Sequence, residues 1–296
     1  MKIKSINLTT SIILIMALSV LILAASCDNS PSSPSSPTLT TFSIQATKPG
    51  EAVSGSSSVS SSISRVAGSP SVSITVTNKD GSDGGTLTLT KAYMAVKEIE
   101  IELEGEDDEE SEYSGTYLVD LMNSTVTPDF PAIDLPDGEY DEVQMKIDRL
   151  TGTETDDSSN ALAVDGDPMF GRSLYLEGTY SPLVGADQPF VLAYTSEEEI
   201  QLKDSDSVNS FAISGLSELI VAFRMDRWFD FSNPETEKNI DLTAIAGDIN
   251  LLEDNGSLSV DELDLMKVIE KNIEESADFG VDSDDDGILE EDEDDD

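Results

Sequence analysis

The 296 residues carry 61 Asp and Glu against 16 Lys and Arg, a formal net charge of −45, with one cysteine and no histidine. That balance argues against nucleic acid and against electrostatic docking on anionic lipid, because no cationic surface exists to neutralise phosphates, and it favours divalent cations. The missing histidines remove Ser-His-Asp and Cys-His catalysis and His-ligated metals, and the single cysteine removes an intramolecular disulfide.

The chain opens MKIKSINLTTSIILIMALSVLILAASC. Lys2 and Lys4 form a positive start, Ile12 to Ala25 is apolar and uncharged, and small residues lead up to Cys27, which is the shape of a secretory signal. The ending Ala24-Ala25-Ser26-Cys27 resembles the lipobox of bacterial lipoproteins, although Ala24 stands where that family prefers leucine. The resemblance implies that residues 1–26 are a cleaved signal peptide and that the Cys27 thiol carries a diacylglyceryl anchor. The protein would then sit in the bacterial cell envelope, outside the cytoplasm, held to a membrane through Cys27. The other reading is an uncleaved membrane helix, since Ser5 to Cys27 is about long enough to span.

Residues 27–70, with DNSPSSPSSPT and SGSSSVSSSIS, offer few apolar side chains to bury and read as a disordered Ser/Pro-rich tether. As a random coil it reaches about 35 Å. At most a short strand near Thr41 to Ala46 is expected in it.

From residue 71 the pattern changes to period two. Val72, Ile74 and Val76 share one face; so do Ile99, Ile101 and Leu103, with Glu98, Glu100 and Glu102 opposite. Val143, Met145 and Ile147, then Phe190, Leu192 and Tyr194, then Leu219, Val221, Phe223 and Met225 repeat the alternation. Between Lys91 and Lys97 both faces are partly apolar, which predicts a central strand or a bulge. Turn signals such as KDGSDGG, LPDGEY and TGTETDD separate these runs. Residues 71–240 therefore read as an antiparallel β-sandwich of immunoglobulin or transthyretin type. The run EGEDDEESE at Glu104 to Glu112 reads as a solvated loop, and the Glu98–Glu100–Glu102 ladder as a soluble face. Trp228 and Phe229 read as the closure of one end of the core, with an exposed ligand-binding shelf as the other reading.

The segments AYMAVKEIEIEL, YLVDL and IDLPDGEYDEVQMKID, in that order, resemble the DUF4382-like β-sandwich domains of bacterial lipoproteins over about Ser71 to Asp230. The resemblance implies the sandwich and a surface location, and it brings no catalytic residues.

Residues 241–296 read as a separate unit similar to EF-hand and dockerin calcium loops. In EDNGSLSVDEL, with Gly256 at loop position six, Glu253 and Asn255 fall at three and five, Ser257 at seven, Ser259 at nine and Glu262 at twelve. Leu251 at position one offers no ligand, so this first loop is degenerate. A helix over Val260 to Ser276 follows, with Leu265, Val268, Ile269, Asn272 and Ile273 at three-to-four spacing. The closing VDSDDDGILEEDEDDD places Asp282, Asp284 and Asp286 at one, three and five, Gly287 at six, the Ile288 carbonyl at seven, Glu290 at nine and Glu293 at twelve. This matches the calcium-loop pattern in full. Alternate carboxylates on a tight loop converge on one ion, the glycine allows the sharp turn, and a bidentate glutamate closes the shell. The same run also reads as a solvated acidic tail, and no exit helix follows Glu293.

These readings combine into a non-enzymatic, lipid-anchored envelope protein with a β-sandwich binding or structural domain and calcium as its cofactor. The alternative is a calcium-free surface adhesin or ligand-binding module, with a protein or glycan partner and a disordered acidic tail. A carboxylate-based hydrolase is a third reading, for which no pair of acids at a defined separation stands out.

Overall fold

Alternation of apolar and polar residues governs most of what forms. In the computed structural model the described residues are 38–47, 71–103, 110–135, 138–195, 198–203, 211–213, 217–232, 240–253, 256 and 258–282. The first half of the chain supplies β1 (Thr38–Thr47), β2 (Val72–Thr77), β3 (Asp83–Leu103), β4 (Glu110–Asp120), β5 (Thr125–Thr127), β6 (Ile133–Leu135) and β7 (Gly138–Ile147). The second half supplies β8 (Leu174–Ser181), β9 (Gln188–Tyr194), β10 (Glu198–Lys203), β11 (Phe211–Ile213), β12 (Ser217–Arg224), β13 (Ile249–Leu252), α1 (Val260–Glu274) and β14 (Ala277–Asp282). The protein is mainly β, and α1 is the one α-helix among the described residues.

β3 organises the larger sheet, whose main path is β10-β7-β3-β8-β9-β13. On one edge β2 pairs with its first half and β4 with its second. On the other edge β8 takes the first half and β7 the second. Register shifts at Leu89/Lys91 and Val96/Glu98 mark bulges, which bend a strand and increase its twist. Lys91 to Lys97 is thus both a central strand and a bulged one, which explains its apolar residues on both faces.

The smaller sheet runs β14-β12-β1-β6. Phe42 and Ile44 of β1, Leu219 and Phe223 of β12, Ile99 of β3 and Leu265 of α1 belong to one buried cluster, so both sheets and the helix share a core. Each fully buried Leu, Ile or Phe adds about 1.5–3 kcal/mol relative to exposure. A second cluster lies on the other face of the larger sheet, where Leu150, Ala163 and Met169 of the 148–173 segment pack on Ala95, Tyr175 and Ala193.

Three expectations change. Residues 27–70 are not a tether throughout: 38–47 form β1, whose parallel partner β12 takes Phe42 opposite Leu219 and Ile44 opposite Val221. The alternation of Phe42 and Ile44 outweighs the Ser/Thr composition around it. The sheets are mixed rather than antiparallel, because β1 joins β12, and β13 joins β9, in parallel. Both additions come from segments remote in sequence, which no hairpin constrains to run antiparallel. Residues 241–282 do not form a separate unit either, since β13 and β14 are strands of the two sheets and α1 buries Leu265, Met266, Val268, Ile269 and Ile273 in the shared core.

α1 begins at a capping box. The Ser259 hydroxyl accepts from the Glu262 N–H at 3.2 Å, and the Glu262 carboxylate accepts from the Ser259 N–H at 2.7 Å. Asp261 and Glu262 in the first turn and Lys271 in the last complement the helix dipole. The helix ends at Glu274, two residues short of the expected Ser276.

Candidate metal centre

The described chain stops at Asp282, the last residue of β14, whose backbone lies opposite Glu218 of β12. Asp284, Asp286, Ile288, Glu290 and Glu293 lie outside the described residues, as do Asn255, Ser257 and Cys27 together with the whole 1–37 segment. An EF-hand loop follows its incoming helix directly. Here the six-residue strand β14, whose last residue is Asp282 itself, comes between α1 and the rest of the acidic run, so the lead-in is β14 rather than a helix. Gly280, a poor helix former, and the alternation of Phe279 and Val281 fit that strand.

The two described acids of the first loop have other partners. The Glu253 carboxylate accepts from the Thr195 N–H, and from the Thr195 hydroxyl at 3.1 Å, joining the end of β13 to the end of β9. The Glu262 carboxylate turns back onto Ser259, accepting from both its N–H and its hydroxyl at 2.7 Å. The Ser259-x-x-Glu262 spacing that counts as loop positions nine and twelve is also a capping box, and that signal was available in the sequence. Among the described residues, no three His, Cys, Asp or Glu side chains gather as a metal site would require.

The glutamate ladder of β3 faces like charge. Glu100 stands opposite Glu112 of β4, and Glu102 opposite Glu110 of β4 and Glu142 of β7. Directly opposed like charges destabilise a sheet unless cations relieve them. Glu98 differs, since it stands opposite Lys146.

Trp228 is not a shelf. It is fully buried, and its indole N–H donates to the Ser276 hydroxyl at 2.6 Å. Asn272 of α1 donates to the carbonyls of Trp228 at 3.2 Å and Asp230 at 2.9 Å, so these polar groups stitch the helix to the turn after β12. Phe223 packs edge-on against the Trp228 ring at 6.2 Å.

One polar cluster escaped the sequence reading. Lys91 of β3 and Tyr175 of β8 both donate to the Glu177 carboxylate, at 2.8 and 2.7 Å, and the Arg172 guanidinium stacks over the Tyr175 ring at 5.4 Å. The Lys91 and Tyr175 hydrogen bonds hold the Glu177 carboxyl below its ordinary value, against the upward push of burial. Burial, then the Glu177 hydrogen bond, pushes the Tyr175 phenol up to about 12. Nearby in sequence, burial would raise Glu154, but hydrogen bonds from the Thr151 hydroxyl and the Thr151 and Thr153 N–H groups lower it. The Lys91–Glu177 pair is a cross-strand pair whose register only the bulged β3–β8 ladder reveals.

With this geometry the chain is, by class, a mainly β protein of mixed sheets. No protein-family model matches it, and neither a curated protein nor a solved structure does.

Proposed function

We propose that the chain is a lipid-anchored extracytoplasmic protein of the bacterial envelope, with a DUF4382-like β-sandwich that binds or supports rather than catalyses, and with calcium held by its acidic C-terminal run. The arrangement of two sheets and α1 around one core supports the sandwich. The signal-like start and Cys27 support the anchor.

The observation that carries the calcium reading is the register of the run itself: Asp282, Asp284, Asp286, Gly287, Glu290 and Glu293 fall on every position the ion needs, with the Ile288 carbonyl between. Pairing of β14 with β12 supports it further, because loop position one then starts from a fixed strand end with Glu218 opposite. Calcium would neutralise crowded carboxylates, so ordering would accompany binding. Millimolar affinity would suffice outside the cytoplasm.

The adhesin reading loses its aromatic shelf, because Trp228 is buried. Calorimetric titration of the full chain with calcium tests the proposal. Wild type is expected to give saturable heat, and Asp284→Ala to weaken binding at least ten-fold. Absence of heat in the wild type would sink the calcium reading, and equal heat in both would place the ion elsewhere. For the anchor, Cys27→Ser is expected to abolish incorporation of labelled lipid.

A further inference from the structure

β3 changes its outward face along its length. The half paired with β4 carries Glu98, Glu100 and Glu102 on that face, whereas the half paired with β2 carries Thr86 and Thr88. β2 continues the uncharged part. Thr75 stands opposite Thr86 and Ser73 opposite Thr88, while Val72, Ile74 and Val76 are at most 3% exposed in the core. Residues 71–77, SVSITVT, hold no charge and no proline.

β2 is also an edge. Its ladder partner among the described residues is β3 alone. On its other side, Thr77 donates to the Phe229 carbonyl at 3.1 Å and accepts from the Phe231 N–H at 2.9 Å. Backbone direction alternates along a strand, so Ser73 and Thr75 send their N–H and carbonyl groups to that same side. No described residue pairs with them there, and both are exposed.

Natural edges guard against pairing with another chain by charge, proline or brevity. The other edge strands longer than four residues carry charge: Glu110 and Glu112 in β4, Glu198, Glu199 and Lys203 in β10, Asp278 and Asp282 in β14. β2 has no such guard, in a chain of formal charge −45.

The open stretch is chemically a palindrome. An antiparallel pair of β2 strands centred on Ile74 sets Ile74 against Ile74, each Ser73 against the Thr75 of the second copy, and each Val72 against a Val76. Apolar side chains meet on the core side and hydroxyls on the outer side. Each Ser73–Thr75 pair exchanges both of its backbone hydrogen bonds. The same self-pairing of β10 or β14 would bring carboxylates of both copies into one ladder. A basic peptide would answer the overall charge, yet β2 offers it no carboxylate.

We propose that β2 is the docking edge for a second copy of this chain, joined antiparallel about a two-fold axis near Ile74, so that the larger sheet continues from one copy into the other. The contact uses neither Cys27 nor the acidic run, so it stands apart from the proposed anchor and calcium site.

Sedimentation velocity over a range of concentrations tests it, with amide hydrogen exchange by NMR, on the full chain made with Cys27→Ser so that no lipid drives association. The start of the chain is common to every variant, so only a dimer that depends on β2 counts. Association is expected to strengthen with salt, because screening relieves the repulsion between two polyanions. Exchange at the Ser73 and Thr75 amides is expected to slow as concentration rises. Thr75→Pro removes an N–H that β3 does not use, so the fold should hold while association weakens about ten-fold or more. Ser73→Lys with Thr75→Lys, and Ser73→Glu with Thr75→Glu, keep every backbone group; each should be monomeric alone, and mixing the two should restore a dimer. A monomer at every concentration would overturn the proposal, and slow Ser73 and Thr75 amides in that monomer would show the edge covered by the chain itself. A dimer indifferent to all of these variants would overturn it too and place the contact elsewhere.

Discussion

Around β3, most neighbours come from nearby sequence: β2 reaches it through a short turn, and β4 and β7 follow within the same stretch of chain. Around β12 the neighbours come from both ends, β1 from near the start and β14 from the far side of α1. The larger sheet is therefore built largely from local antiparallel pairing, whereas the smaller one exists only once remote segments meet. Closing long loops costs entropy before any contact rewards it, so the smaller sheet depends more heavily on its side chains.

Truncating the centre of each sheet sharpens that difference. Phe223→Ala in β12 removes a fully buried ring that packs edge-on against Trp228. A loss of about 3–5 kcal/mol is expected in chemical denaturation. Ile99→Ala in β3 is expected to cost about 2–5 kcal/mol. Hydrogen exchange separates the two variants: Phe223→Ala should release β1 and β14 together, whereas Ile99→Ala should leave their protection in proportion to global stability. Equal patterns would break the distinction between the sheets.

A smaller effect concerns α1, the element that carries the chain from β13 in one sheet to β14 in the other. Ser259→Ala removes the N-cap and is expected to cost about 1 kcal/mol. Glu262→Gln keeps a side chain able to accept from Ser259, so stability should hold within a few tenths of a kcal/mol. Calcium binding should also be unchanged if capping is the whole role of Glu262. A large loss of calcium affinity in Glu262→Gln would restore the first loop as a metal site.

The smallest effect is electrostatic. The Glu177 carboxyl titrates below its unfolded value because of Lys91 first and Tyr175 second. A depressed carboxylate contributes stability that is full above the unfolded value, about 4.3, and is lost as pH falls through the folded one. Both partners are more than a third exposed, so the gain is small. Lys91→Met should move the Glu177 titration upward in NMR and flatten this acid limb; an unmoved titration would remove Lys91 as the cause.

What the sequence reveals follows the same division. Ile99 and Ile101, Val143 and Met145, and Leu219 and Val221 are all buried, as their period-two spacing predicts. Trp228 closes a buried end, as its place in DRWFDF suggests. β1 was far less legible, because a strand in a Ser/Thr-rich stretch is recognised only with its distant partner in view. Parallel pairing leaves no turn signature at all. Among the candidate ligands, Glu262 was read only as a loop ligand, although Ser259-x-x-Glu262 is equally the spacing of a helix cap, which is the role the structure gives it.

The registers of the smaller sheet put Thr41, Glu218 and Asp282 side by side in one row across β1, β12 and β14. The sheet therefore receives β1 and releases β14 at the same end, two strand spacings apart, or about 10 Å. A pull between these two points would act across the strands rather than along them. It would open the β1–β12 and β14–β12 ladders one hydrogen bond at a time, like a zip, instead of shearing all of them at once. In a variant trimmed to residues 38–282, a linker of about four residues would span that gap and make a circular permutant practical. New ends opened at the exposed Leu183–Val184 turn between β8 and β9 would leave the β1–β12–β14 row intact.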